Sequence, residues 1–143
     1  MNIGDHKGAI LDSAIQQHQP KVAIELGTYI GYSAIRIAQQ LPSEGKLYSM
    51  DPDETHVQLA KQIIDHAGVS HKVEVIQGTL QTSTEAFRSK GVHKVDFVCI
   101  LARDRMKSFV SGVALKYIWE GAQTLQVFVT KVCSSLYLIH HQS

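Results

Sequence analysis

Short apolar runs alternate with amphipathic stretches along the first two thirds of the chain. The runs are rich in Val, Ile and Leu and short enough for buried strands, and they cover 21–26, 46–51, 72–78 and 94–101. Helical spacing of apolar residues predicts helices between and before them, over 8–18, 31–41, 53–68 and 81–91. This alternation predicts an α/β fold in which helices cover both faces of a parallel sheet.

The pattern loses its regularity after Leu101. It predicts a helix over 104–121 and a fifth strand over 124–132, whereas 133–143 shows no clear partner. Open parallel sheets usually continue beyond this point, so we expect the sheet to be incomplete.

Composition supports one globular domain, 1–143, with a regular part, 1–105, and a divergent remainder, 106–143. The net charge of +1 provides no basic field, so neither a nucleic acid nor an anionic membrane is expected as a partner. No stretch reaches the roughly 18 to 20 apolar residues of a membrane span, and the first ten residues have no apolar signal core. These features predict a cytoplasmic location.

Cysteine and histidine residues give no indication of a metal site. Cys99 and Cys133 lie in apolar, strand-like segments, which predicts buried, reduced thiols. Six of the eight histidines are scattered along loops and polar helix faces, and the other two, His140 and His141, fall in what we expect to be a frayed tail. None shows the spacing of a zinc site.

The segment E-L-G-T-Y-I-G, residues 25–31, joins the first predicted strand to the next helix. Ligands of open α/β sheets bind beyond the carboxyl ends of the strands, so this turn is the candidate site. Gly27 permits a sharp turn and the close approach of a ligand, and Gly31 lets the helix pack near the strand. A dinucleotide site requires G-x-G-x-x-G, but here Tyr29 and Ile30 fill the space that a diphosphate needs.

A nucleoside without phosphates suits this turn better, and S-adenosylmethionine (SAM) is such a ligand. Its carboxylate suits the helix N-terminus and the hydroxyl of Ser33. The second strand ends at Asp51, where a carboxylate can accept both ribose hydroxyls. The residues therefore favour SAM, with a dinucleotide as the alternative.

Five segments carry a more specific pattern: MNIGDHKGAILD, IELGTYIGYSAIRIAQQL, LYSMDPDE, HAGVSHKVEVIQG and VDFVCIL. From Met1 to about Arg105 they resemble, in the same order, the catechol O-methyltransferase family. The resemblance implies a Rossmann-like class I methyltransferase, a three-layer α/β sandwich that uses SAM and magnesium to methylate a hydroxyl oxygen.

The resemblance also implies a set of cofactor-binding residues. Ile3 lies in a segment over the methionine end, Tyr29 near the sulfonium, and Ser33 at the carboxylate. Asp51 takes the ribose hydroxyls, where the family usually has Glu, and Gln81 reads the adenine amino group. The expected cofactor-binding residues are Ile3, Glu25, Gly27, Tyr29, Ser33, Asp51 and Gln81.

The magnesium ligands of the family have no counterparts here. Leu101 or Ala102 stands where the family has its metal-binding Asp, and Arg103 is nearest to the Lys that takes the catechol proton. An Arg stays protonated and cannot act as that base. Thr130 and Lys131 stand where the family has Asp-Asn. We therefore expect magnesium from the resemblance but assign no metal ligand and no catalytic residue.

These observations leave two interpretations of function. The first is a SAM-dependent O-methyltransferase that methylates a hydroxyl of a small-molecule catechol. The alternative is a cofactor-binding but catalytically impaired relative, or a truncated product. Asp104 lies close to the lost ligand, but a surface acid that pairs with Arg103 or Arg105 is the favoured interpretation of it.

Overall fold

The structure, a computed structural model, describes residues 4–92, 95–101, 124–130 and 136–142. No helix in these ranges has the length and apolar composition to cross a membrane. In chain order the elements are α1 (Asp5–His18), β1 (Val22–Leu26), α2 (Tyr32–Gln40), β2 (Lys46–Asp51), α3 (Glu54–His66), β3 (Val73–Gln77), α4 (Leu80–Ser89), β4 (Phe97–Ile100), β5 (Thr124–Thr130) and β6 (Leu136–Gln142).

The strands form one sheet in the order β3-β2-β1-β4-β5-β6. All neighbouring pairs are parallel except β5 and β6, which are antiparallel. The predicted Rossmann-like α/β class is confirmed. The strand order reverses between β1 and β4, which is where such sheets open a crevice for ligands.

The end of the chain differs from the prediction. Residues 136–142, which were expected to lack a partner, form β6 and pair along the whole of β5. His140 and His141 therefore lie in a paired strand, opposite Gln126 and Leu125, and the expected frayed tail is wrong. The partner of β6 is set by a hairpin with β5, and a local apolar pattern does not reveal such pairing. The helix predicted over 104–121 lies outside the described residues.

Two hydrophobic cores, one on each face of the sheet, hold the helices. Side chains alternate between the faces along each strand. On one face Ala23, Leu47, Phe97 and Cys99 pack with α1, α2 and α3. On the other face Ile24, Leu26, Met50, Val98 and Ile100 pack against Phe87 of α4. Cys99 is free and buried, as predicted, whereas Cys133 lies outside the described residues.

Candidate functional site

The candidate site lies at the carboxyl ends of β1 and β2. The register places Glu25 beside Ser49 and Leu26 beside Met50. Alternation along the strands then directs Glu25, Ser49 and Asp51 toward the face that carries α1, α2 and α3. Three polar side chains thus continue a face that is otherwise apolar.

A buried hydrogen-bond network surrounds the Glu25 carboxyl group. The Ser33 hydroxyl, from the first turn of α2, donates to one Glu25 oxygen. The Ser49 hydroxyl donates to the other at 2.5 Å. Ser49 Oγ also lies 2.6 Å from Thr28 Oγ1. All four side chains are buried, and the network compensates in part for the loss of water around Glu25.

Burial changes the acidity of two groups in this region. Loss of hydration raises the pKa of Glu25 to about 7, although the hydrogen bonds from Ser33 and Ser49 oppose the rise and the charge of Asp51 adds to it. Cys99 lies opposite Glu25 on β4. Burial, and then the charge of Glu25, raises the pKa of this thiol well above its ordinary value. Cys99 is therefore an unreactive core residue.

The turn after β1 is closed by backbone contacts. The amides of Gly27 and Thr28 donate to the Met50 carbonyl at 2.9 and 3.2 Å. Gly27 has a φ of +99°, and a Cβ at this position would lie 2.6 Å from the Leu101 carbonyl oxygen at the end of β4. The protein's own backbone therefore requires glycine here, whether or not a ligand approaches.

Gly31 has a packing role that differs from the prediction. It precedes the first residue of α2 with a φ of +88°. A Cβ there would lie 3.3 Å from Ile64 and 3.4 Å from Ala60, which belong to α3. The close neighbour of Gly31 is therefore a second helix and not the strand, because α2 and α3 share one face of the sheet.

The Asp51 carboxylate links the end of β2 to the turn after β1 and to the start of α3. Its Oδ2 accepts the Tyr29 amide at 2.9 Å. Its Oδ1 accepts the Asp53 amide at 3.0 Å and lies 3.2 Å from His56 Nδ1. Tyr29 itself has a φ of 49°, which is uncommon for a bulky residue, and the bond to Asp51 stabilises that conformation.

Five of the seven expected cofactor residues meet in this region. They lie at the ends of β1 and β2, in the turn after β1 and at the start of α2: Glu25, Gly27, Tyr29, Ser33 and Asp51. Ile3 lies outside the described residues. Gln81 lies in α4, shortly after the end of β3, and only its backbone position is described.

Sequence reasoning missed three residues of this region: Thr28, Ser49 and His56. Ser49 is a polar residue at an inward position of an apolar strand, and this was a detectable signal. His56 follows Asp53, whose side chain caps α3 by accepting the amides of Thr55 and His56. That cap fixes the first turn of α3 beside Asp51.

The described residues do not fit a magnesium ion. Among them, no group of three or more His, Cys, Asp or Glu side chains is placed to hold a metal. The end of β4 presents Leu101, an apolar residue whose carbonyl faces Gly27. Magnesium requires hard oxygen ligands. Residues 102–105 and Lys131 lie outside the described part of the chain.

Comparison with known proteins places this geometry in a family. A family profile described as O-methyltransferase matches residues 1–121. The chain belongs to the O-methyltransferase family. Catechol O-methyltransferase of Mus musculus is 35% identical over 107 residues, which cover 75% of this chain and 40% of that protein. Catechol O-methyltransferase B of Danio rerio is 42% identical over 78 residues, covering 54% and 30%.

A solved structure supports the fold of this family member. The O-methyltransferase TomG from Streptomyces achromogenes, solved in complex with SAM, has a TM-score of 0.77 at 22% identity. The match covers 90% of this chain and 56% of that one. At this identity the likeness shows the fold. The chain spans less than half the length of the two curated relatives.

Proposed function

We propose that the carboxyl ends of β1 and β2 bind SAM and that the chain acts as a SAM-dependent O-methyltransferase. The observation that carries the proposal is the Asp51 carboxylate, held at the end of β2 by the Tyr29 amide of the neighbouring turn. An acid at this position suits the hydroxyls of a ribose. Tyr29, where a dinucleotide loop has bare backbone, argues against a diphosphate.

We assign Ser33 and Glu25 to the binding of the amino-acid end of SAM. Ser33 lies in the first turn of α2, where backbone amides attract a carboxylate. Its hydroxyl hydrogen is directed to Glu25. A ligand carboxylate at Ser33 therefore requires that hydrogen to turn away, whereas a ligand ammonium group can donate to the Ser33 oxygen directly.

The remaining assignments concern the sulfonium and the adenine. Bound SAM supplies an electrophilic methyl group on a sulfonium, and the ring of Tyr29 offers an aromatic face for that cation. Gln81 is assigned to the adenine amino group and Ile3 to the segment over the methionine end. The role of all these residues is to bind and orient the cofactor.

We assign a catechol hydroxyl as the methyl acceptor. The names of the mouse and zebrafish relatives support this choice of small-molecule substrate. Magnesium is not part of the assignment, because the described residues do not fit it. The proton that the catechol hydroxyl loses passes to solvent water, and no residue of this chain is assigned to take it.

A second candidate function, cofactor binding without turnover, has its own support. Leu101, which directly follows β4, has an apolar side chain, and Arg103 follows it in the sequence. A guanidinium stays protonated and cannot take a proton from the acceptor. In this second candidate function the chain binds SAM but does not transfer its methyl group.

Methyl transfer from isotopically labelled SAM to catechol tests both candidates. Mass spectrometry detects the product, and 1,2-dimethoxybenzene, which has no free hydroxyl, serves as the control acceptor. We expect the wild-type chain to form labelled monomethyl catechol and Asp51→Ala to form none. Binding of SAM without product favours the second candidate, and no binding by a folded chain contradicts both.

A further inference from the structure

We propose that His56 is a positioning residue of the cofactor site, which holds the Asp51 carboxylate in the orientation that accepts the ribose. This inference rests on the proposed function. His56 Nδ1 lies 3.2 Å from Asp51 Oδ1. Because a carboxylate only accepts hydrogen bonds, Nδ1 carries the hydrogen in this contact.

The hydrogen bonds of Asp51 are distributed unequally between its oxygens. A carboxylate oxygen accepts about two hydrogen bonds. Oδ1 already has two donors, the Asp53 amide and His56. Oδ2 has one described donor, the Tyr29 amide. His56 therefore directs the carboxylate so that Oδ2 carries the ribose contact, and a single hydroxyl binds there where the sequence had suggested two.

His56 is itself fixed from two sides. Its backbone amide donates to the Asp53 side chain at 3.1 Å, as part of the cap of α3. Its ring meets the Tyr29 ring edge-on, with centroids 4.9 Å apart and an angle of 82°. Tyr29 also donates its amide to Asp51. Asp51, Tyr29 and His56 thus form a closed triangle of contacts at the ribose position.

Two substitutions separate the hydrogen bond from the ring contact. His56→Asn keeps a nitrogen donor near the position of Nδ1 and removes the ring. His56→Phe keeps a ring against Tyr29 and removes the donor. The probes are S-adenosylhomocysteine and its analogue without both ribose hydroxyls, titrated by calorimetry.

We expect His56→Phe to weaken S-adenosylhomocysteine binding by about three- to tenfold, the effect of one partly exposed hydrogen bond to a charged group. His56→Asn is expected to stay within about twofold of the wild type. The analogue should bind the wild type and His56→Phe equally. Equal losses for both ligands, tighter binding by His56→Phe, or no change contradicts the positioning role.

A matched control uses the second histidine of α3. His66 lies exposed in its last turn, and His66→Phe should leave both affinities unchanged. Thermal melts of every variant test folding. Failure of the wild type to bind S-adenosylhomocysteine contradicts the proposed function and this inference together. Normal wild-type binding with an unaffected His56→Phe contradicts the role of His56 alone.

Discussion

The carboxyl ends of β2 and β4 flank β1 and differ in chemistry. β2 ends in Asp51, whose carboxylate accepts hydrogen bonds from two segments. β4 ends in Ile100 and continues to Leu101, which contributes a carbonyl packed against Gly27. One end therefore carries a hydrogen-bonded carboxylate, and the other supports the turn.

An O-methyltransferase both binds a cofactor and transfers its methyl group, and the two strand ends differ in how well they suit these two properties. The β2 side and the adjoining Glu25 network suit the binding of a cofactor. On the β4 side the described residues Ile100 and Leu101 carry no carboxylate, and no group of three or more His, Cys, Asp or Glu in the described part of the chain is placed to hold a metal. Cofactor binding and methyl transfer are thus testable independently in this chain.

The contact between Gly27 and the end of β4 gives the largest expected effect. Gly27→Ala combines a positive φ with a Cβ that would lie 2.6 Å from the Leu101 oxygen. We expect a loss of about 3 kcal/mol or more in the free energy of unfolding. Urea denaturation measures it.

Gly68→Ala is the matched control, because Gly68 has a φ of +73° and open space around its Cβ position. It should lose only the strain of the positive φ, about 1 to 2 kcal/mol. Equal losses for the two variants would show that the Leu101 contact is unimportant.

The Glu25 network should make stability depend on pH. The pKa of Glu25 is about 7 in the folded chain against an ordinary value of 4.5, so the folded state binds this proton more tightly. The contribution of this proton to the free energy of unfolding is complete below pH 4.5 and is lost as the pH rises through 7. The loss is on the order of 3 kcal/mol.

Urea denaturation between pH 4.5 and 8 measures this dependence. Glu25→Gln removes the ionising group and should flatten the curve. Glu85→Gln removes an exposed carboxyl of α4 and is the control. A curve for Glu25→Gln that declines as steeply as that of the wild type contradicts the role of Glu25.

Asp51→Asn tests the β2 side directly. The variant retains the shape of the side chain but loses the charge, so we expect SAM affinity to fall by about tenfold to a hundredfold. Calorimetric titration measures it, and Asp65→Asn, in the exposed last turn of α3, serves as the control. Unchanged affinity in Asp51→Asn would place the ribose elsewhere.

Magnesium gives the smallest expected effect. Because the β4 side offers apolar side chains in place of oxygen ligands, magnesium or a chelator should change SAM affinity by less than about twofold. Titrations with magnesium chloride and with EDTA measure this. A strong increase in affinity with magnesium would show that other residues of the chain supply the ligands.

Much of the fold followed from the local pattern. Strand β2 matches its predicted bounds, and β1 and β3 lie within one residue of theirs, because Val, Ile and Leu runs mark buried parallel strands. Strand β6 was missed, since its partner depends on a hairpin between segments whose own pattern is irregular.

The site was predictable only in part. Glu25, Gly27 and Asp51 could be found because parallel strands end at the same edge. The hydrogen bonds of Ser49 and His56 could not, because they depend on the register of β1 with β2 and on the entry of α3. The structural reason why position 27 requires glycine could not be predicted either, because the Leu101 carbonyl that a side chain would meet is distant in sequence.

Calorimetric titration of the purified chain with SAM, with NADH as the competing dinucleotide, decides whether the site at the ends of β1 and β2 binds a nucleoside without phosphates. A thermal melt establishes that the chain is folded. We expect SAM binding with a Kd on the order of micromolar and no binding of NADH. A cooperatively folded chain that binds NADH, or binds neither ligand, would contradict this expectation.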